Sequence, residues 1–208
     1  MIVLYSGTPG SGKSLHTAKE IRHRLQQPGK VIIGNFYINV KEIPNVKSTY
    51  IYVANDRLTP KRLLMFARRY ARHLGRRLKE DELWLMIDES QLLFNSRDWQ
   101  KLASSGWLSY FSQHRHYGFK IFLIAQFDRM LDRQVRSLIE YEYKHRNVQR
   151  AGTMGFIVSL FFGGQLYVVV ECWYPMRERL SAEFFIGSKK VFKIYDSYNH
   201  FDSELGKD

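Results

Sequence analysis

Gly7, Gly12, Lys13 and Ser14, with Gly10 between them, complete the spacing G-x-x-x-x-G-K-S/T in the stretch "GTPGSGKS". A loop of this composition turns successive backbone amides inward. Together with the first turn of a following helix they hold phosphate oxygens that a bulky side chain would keep away. The binding set read from it is Gly7, Thr8, Pro9, Gly10, Ser11, Gly12, Lys13, Ser14 and Leu15, with ATP and Mg²⁺ as the expected ligands. Lys13 would reach the β and γ phosphates, and Ser14 would ligate Mg²⁺. Further along, "LWLMIDES" closes an apolar run on Asp88 and Glu89. Beside bound phosphates, a carboxylate at the position of Asp88 can hold Mg²⁺ through water. Glu89 next to it can polarise the attacking water as a general base, which moves the reading from binding to hydrolysis.

Two further residues enter as catalytic candidates. Gln126 closes the run "IFLIA", where it could touch the γ phosphate or the water; a glutamine satisfying local backbone is the plain alternative. Arg115 lies in the cluster His114, Arg115, His116 shortly before that run. The two histidines are two residues apart and fall on different faces of a helix, which argues against a metal pair. Arg115 is read as a cation for phosphate or for a neighbouring subunit's nucleotide, with an ordinary surface arginine as the other reading.

These residues need strands to carry them to one edge. "IVLYS" is a short β-rich run ending in glycines, and "KSLHTAKEIRHRLQQ" follows with Leu15, Ala18, Ile21, Arg22 and Leu25 at helical spacing. "PGKVIIGNFYI" gives a turn and a second strand, with Asn35 at its end, and "TYIYVA" gives a third. From Pro60 a helix is expected, with Leu63, Ala67, Tyr70, Ala71, Leu74 and Leu78 on one stripe, arginines outside it, and Thr59 as cap. That helix, "KRLLMFARRYARHLGRR", carries enough charge to bind phosphates nonspecifically; an amphipathic surface helix explains it equally.

"ELWLMIDES" reads as a central parallel strand covered on both faces. "WLSYFSQHRHYG" reads as a helix stopped by Gly118, and "FKIFLIAQ" as another buried strand. "RMLDRQVRSLIE" is expected to be a helix and "EYEYKHRNV" an exposed strand. "GFIVSLFF" and "QLYVVVECW" are expected to pair as a hairpin around Gly163 and Gly164, before a closing element in "KKVFKIYDSYN".

The bulk composition agrees. The 208 residues are 45% hydrophobic, enough for one sizeable core. Lys and Arg number 32 against 20 acids, a net charge of +12 that favours nucleic acid or an anionic membrane leaflet as partner. The single cysteine, Cys172, excludes an intrachain disulfide and a cysteine-based zinc site, and fits a reducing cytosol. No signal peptide is expected, because the phosphate loop begins almost at once. The expected domain is a single one over residues 1–208, with a core over roughly 1–150 and a β extension over roughly 151–208.

The set "GTPGSGKS", "LWLMIDESQLLFNSRDW", "FSQHRHYGFKIFLIAQ" and "VFKIYDSY" resembles, in order and from near the start to about Tyr198, the cytoplasmic ATPase domain of the zonula occludens toxin (Zot) family. That family includes the gene I assembly protein of filamentous phages. The resemblance implies an α/β fold: a P-loop NTPase of the additional-strand catalytic-glutamate class, related to FtsK and HerA. Its central, mostly parallel sheet would be flanked by helices, with a C-terminal β-hairpin. It also implies ATP-driven extrusion of single-stranded phage DNA through the inner membrane during virion assembly. The implied partners are further copies of the chain, with a hexamer as one form, that DNA, and coat or assembly proteins. The implied location is the cytoplasmic face of the inner membrane.

On the matching positions, Lys13 and Ser14 serve the phosphate loop, Asp88 and Glu89 the acidic pair, Gln126 the strand-end polar residue, and Arg115 the arginine before the glycine. Arg97 and Trp99 match the R-x-W after the acidic strand. Family proteins typically continue into a transmembrane helix and an extracytoplasmic segment, and this sequence stops at Asp208 before either, as an excised cytoplasmic domain or a shorter relative would; toxin activity, associated with that further part, is not inferred. Two other functions fit the residues: a small-molecule P-loop kinase with the basic helix as lid, and a nucleotide-gated adaptor without turnover. Glu89 beside Asp88 favours water as acceptor over a kinase substrate.

Overall fold

The computed structural model describes residues 1–195; the end of the "VFKIYDSY" motif, from Asp196, lies outside the described residues. One sheet contains β1 (Ile2–Ser6), β2 (Val31–Gly34), β3 (Thr49–Tyr52), β4 (Leu83–Ile87), β5 (Phe119–Ile124), β6 (Tyr141–Asn147), β7 (Leu166–Trp173) and β8 (Glu178–Ile186). Their spatial order is β3-β2-β4-β5-β1-β6-β7-β8. Every pairing from β3 to β6 is parallel, and β7 and β8 add an antiparallel end. The helices are α1 (Lys13–Gln26), α2 (Pro60–His73), α3 (Trp99–Ser104), α4 (Trp107–Gln113), α5 (Arg133–Arg136), α6 (Gly152–Leu160) and α7 (Lys189–Phe192).

The central strands are apolar at nearly every position, Ser6 of β1 and Lys120 of β5 excepted, because both faces are covered. Alternate residues divide between two cores. Ile2, Leu4, Leu83, Leu85, Ile121 and Leu123 pack with Leu63 and Ala67 of α2 and with Trp107 and Phe111 of α4. Val3, Tyr5, Trp84, Met86, Phe122 and Ile124 pack with Ala18, Ile21 and Leu25 of α1. The start of α2 follows its sequence: Pro60 occupies the first turn, and the Arg62 amide donates to Thr59 Oγ1 at 3.4 Å. The helix ends at His73, so Leu74 and Leu78 of the expected stripe fall beyond it.

Register carries the chemistry to one edge. Tyr5 of β1 pairs Ile124 of β5, Ser6 pairs Lys144 of β6, and Ile87 of β4 pairs Leu123 of β5. Gly7, Asp88 and Gln126 therefore all leave the sheet at its C-terminal edge, where open α/β sheets bind their ligands.

The structure corrects three expectations. "GFIVSLFF" is not a strand: it lies in α6 and the turn after it, and the hairpin is formed by β7 and β8 around Tyr174–Arg177. A short run that is apolar throughout has no periodicity to separate strand from helix, and buried Ser159 donates to the Phe156 carbonyl within the last helical turn. β6 is interior rather than exposed, wedged between β1 and β7, with Glu142 and His145 buried. The helix expected over "RMLDRQVRSLIE" contracts to α5, capped by Asp132, whose carboxylate accepts from the Gln134 amide at 2.8 Å. Among the described residues no helix is long and apolar enough to cross a membrane.

Candidate functional site

The phosphate loop joins β1 to α1. Its first amide, Gly7 N, donates to the Gln126 carbonyl at 3.1 Å, which ties the loop to the end of β5. Gly7 has φ +147, and a Cβ there would lie 2.6 Å from the His145 carbonyl oxygen; the neighbouring β6 backbone leaves room only for hydrogen. Gly12 has φ +95, and a Cβ there would meet the Tyr167 ring at 2.6 Å. α1 starts from Gly12 with no side-chain cap and no acid in its first turn, so its leading amides and the positive end of its dipole face outward. Ser11 Oγ is buried without a hydrogen-bond partner beside them. An uncapped helix start and an orphaned hydroxyl in a glycine cradle fit an anionic phosphate chain.

Lys13 Nζ donates to the carbonyls of Gly7 at 2.5 Å and Thr8 at 3.2 Å, folding back along the loop. Burial pushes its ammonium below the ordinary range, against the opposing charges of Asp88 and Glu89. Both acids thus lie close enough to Lys13 for their fields to matter. Leu15 closes the inner wall of a cavity of about 320 Å³, shared with Ser14, Tyr167 of β7, Val191 and Phe192 of α7, and Tyr195.

Asp88 is held at every polar atom. Its amide donates to Asn35 Oδ1 at 2.7 Å, and its carbonyl accepts from Asn35 Nδ2 at 2.9 Å. Its Oδ1 accepts from the Glu89 amide at 2.8 Å, and its Oδ2 from the Tyr195 hydroxyl. Asn35 is in turn oriented by Asn55 Oδ1 at 2.8 Å. Glu89 adopts φ +46, a left-handed conformation that costs a side-chain-bearing residue about 1 kcal/mol or more. Its carboxylate is exposed and accepts from Gln91 Nε2, while Ser90 Oγ donates to the Ile124 carbonyl at 2.9 Å and pins the turn to β5. Ser14 and Asp88 form an all-oxygen pair beside a phosphate cradle, the donor set suited to Mg²⁺, which takes few protein ligands and completes its shell with phosphates and waters.

Gln126 and Thr8 border a second cavity of about 720 Å³ on the β6 side of the loop, lined also by Lys144, Arg146 and Arg150. Arg150 Nη1 donates to the Pro9 carbonyl at 2.8 Å. Behind the loop, His16 Nδ1 and His145 Nε2 are 2.8 Å apart, and His145 Nδ1 is 3.1 Å from the Ser6 carbonyl. Burial drives His16 down to about 4 and His145 to about 3, so both rings are neutral.

The structure brings together Gly7 to Leu15, Asp88, Glu89 and Gln126. It does not bring Arg115 to them. Arg115 precedes β5 at the opposite edge, about 20 Å away for six residues at about 3.3 Å each. There its guanidinium pairs with Glu140, and with Glu80 at 3.5 Å, beside the Met1 ammonium. Within its own subunit the expectation of a phosphate contact by Arg115 is therefore corrected. Arg97 is exposed, and its amide donates to Asn95 Oδ1 at 2.9 Å. Tyr195, Tyr167 and Arg150 were not singled out by sequence; Tyr195 alone had a signal, its place in "VFKIYDSY".

The sequence profile described as Zonular occludens toxin (Zot) matches residues 1–200. No curated protein matches the chain in sequence. Among solved structures, the N-terminal domain of zonular occludens toxin from Neisseria meningitidis aligns over 94% of this chain and 98% of its own, with 20% identity and a TM-score of 0.58. The genome packaging NTPase B204 from Sulfolobus turreted icosahedral virus 2, in complex with ATP-gammaS, covers 90% and 97% at 13% identity and a TM-score of 0.53. B204, the DNA-packaging ATPase from Sulfolobus turreted icosahedral virus, covers 90% and 97% at 14% identity and a TM-score of 0.52. At these identities the likeness establishes the fold, that of a P-loop NTPase.

Proposed function

This chain belongs to the Zonular occludens toxin (Zot) family, and on that premise we propose that it is an ATP-hydrolysing motor domain of phage morphogenesis. More finely, it would drive single-stranded phage DNA through the inner membrane during filamentous virion assembly, working as a homo-oligomer. The observation that carries the hydrolytic reading is the turn Asp88–Glu89. Asp88 is fixed at every polar atom, and Glu89 is held in a strained left-handed conformation with its carboxylate exposed and its charge felt at Lys13.

In this reading Lys13 leaves the Gly7 and Thr8 carbonyls for the β and γ phosphates, and the amides of Gly10 to Leu15 hold the remaining oxygens. Glu89 takes a proton from water as the water oxygen bonds to the γ phosphorus and the bond to the β–γ bridging oxygen breaks. Ser14 and Asp88 would hold Mg²⁺, which would supply charge neutralisation on the phosphates. Gln126, at the end of β5, would contact the γ phosphate or the water. The genome-packaging and DNA-packaging descriptions of the structural neighbours support a motor.

The partner reading draws on α2 and its flanks, where residues 57–79 hold nine Lys or Arg and no acid. Lys61, Arg62, Arg68, Arg69 and Arg72 are exposed. The apolar side of α2 is already spent on Leu63 and Ala67 in the core, so it has little left to insert into a lipid surface. Arginine forks match backbone phosphates, which favours nucleic acid. The same anchoring leaves α2 unsuited to be a kinase lid.

Phosphate release by the wild type and by Glu89→Gln tests the hydrolytic reading. We expect turnover that rises with protein concentration and with single-stranded DNA, and a loss of at least 10²-fold in the variant with nucleotide binding retained. Equal turnover in the two proteins would refute the role of Glu89.

A further inference from the structure

We infer that Tyr195 positions the divalent cation at the phosphate loop: its hydroxyl lies between Asp88 and Ser14 and aims both of their oxygens without touching the metal. The inference rests on the nucleotide reading above. Tyr195 hydrogen-bonds to Asp88 Oδ2, and Ser14 borders the same cavity with its hydroxyl close enough to act on the phenol oxygen. A carboxylate only accepts, so the phenol proton belongs to Asp88. The tyrosine oxygen is then left as acceptor for the Ser14 proton. That directs the serine lone pairs away from the tyrosine, the orientation a hydroxyl needs to ligate a cation.

The ring itself is fixed. It is 8% exposed and lies 4.9 Å from the Phe36 ring by centroid. Its backbone bridges antiparallel to Ile38, and the Asn39 amide donates to the Ile194 carbonyl at 2.9 Å. Phe36 and Asn39 follow β2, the same strand end whose Asn35 clamps the Asp88 backbone. The segment after α7 and the segment after β2 thus hold Asp88 from two sides. Partners that orient a metal ligand typically contribute 10–100-fold to metal affinity.

The test is a fluorescent ATP analogue titrated onto the full chain with and without Mg²⁺. Tyr195→Phe keeps the ring and removes only the hydroxyl. We expect the Mg²⁺ concentration for half-maximal tightening to rise 10- to 100-fold, with affinity in EDTA unchanged. An unchanged Mg²⁺ requirement, or a metal-free affinity weakened by the same factor, would overturn the inference. In the wild type, hydrogen exchange at the Asn39 amide should slow on adding Mg²⁺ to the nucleotide complex, and no change would count against it whatever the variant does. A wild type that binds nucleotide with no gain from Mg²⁺ would sink this inference alone; one that binds no nucleotide would sink the reading beneath it as well.

Discussion

Acidification from pH 7 to pH 5 should cost this fold about 4 kcal/mol, because of the histidine pair behind the phosphate loop. His16 and His145 are held neutral by burial, with folded values of about 4 and about 3. In the unfolded chain each titrates near 6.5. Below that pH the unfolded chain binds protons that the folded one refuses, so the contribution is present above pH 6.5 and is lost as the pH falls toward 4. At pH 5 the deficit is about 1.5 pH units for each ring, or about 2 kcal/mol apiece at about 1.36 kcal/mol per unit.

Set against a typical total of about 5–15 kcal/mol, the sum is a large fraction. At roughly 2–4 °C per kcal/mol it corresponds to a fall in Tm of about 8–16 °C. His114, also pushed down chiefly by burial, acts in the same direction. The paired carboxylates Glu82, Asp128 and Glu140 are held below their ordinary values and stay ionised at pH 5. Urea unfolding at both pH values measures the loss. In His16→Gln, which has no charge to gain, the difference between the two pH values should fall by about half; comparing that difference cancels any change in baseline stability. A wild-type loss below about 1 kcal/mol would refute the reasoning.

Two further outcomes follow from named contacts. Gly12→Ala meets the Tyr167 ring at 2.6 Å and a φ of +95, so it should lower stability by at least about 1–2 kcal/mol, read as a fall in Tm; an unchanged Tm would contradict the packing. Replacing Arg69 and Arg72 of α2 with Glu should weaken single-stranded DNA binding and flatten its salt dependence by about 0.7 per lost phosphate contact. An unchanged slope in a fluorescence-anisotropy titration would remove α2 from the DNA surface.

The catalytic edge could be read from sequence because it is built from local patterns. "GTPGSGKS" specifies its own turn, and the five apolar residues before Asp88 specify a covered strand, so Lys13 and Asp88 were legible before any pairing was known. What failed depended on long-range partners. Nothing in "EYEYKHRNV" says that β6 would lie between β1 and β7, which buries Glu142 against Ser6 and His145 against His16. Arg115 looked poised for phosphate because it sits close in sequence to Gln126, yet a strand separates them and carries them to opposite edges. "GFIVSLFF" was misread because uniform apolarity has no period, and its surroundings leave Met154, Phe156, Leu160 and Phe161 exposed on α6 and the turn after it.

Apart from the Gly7 amide's hydrogen bond to the Gln126 carbonyl beyond β5, the space at the phosphate loop's glycines is closed from one side. At Gly7 the loop abuts the His145 carbonyl, at Gly10 the Arg150 guanidinium, and at Gly12 the Tyr167 ring, all from β6, β7 and the link between them. In mechanical terms the loop and the antiparallel wing of the sheet form a pawl and its lever. A shift of the loop of even a few tenths of an ångström has to be taken up by the wing, and a load on β7 bears on the loop through Tyr167.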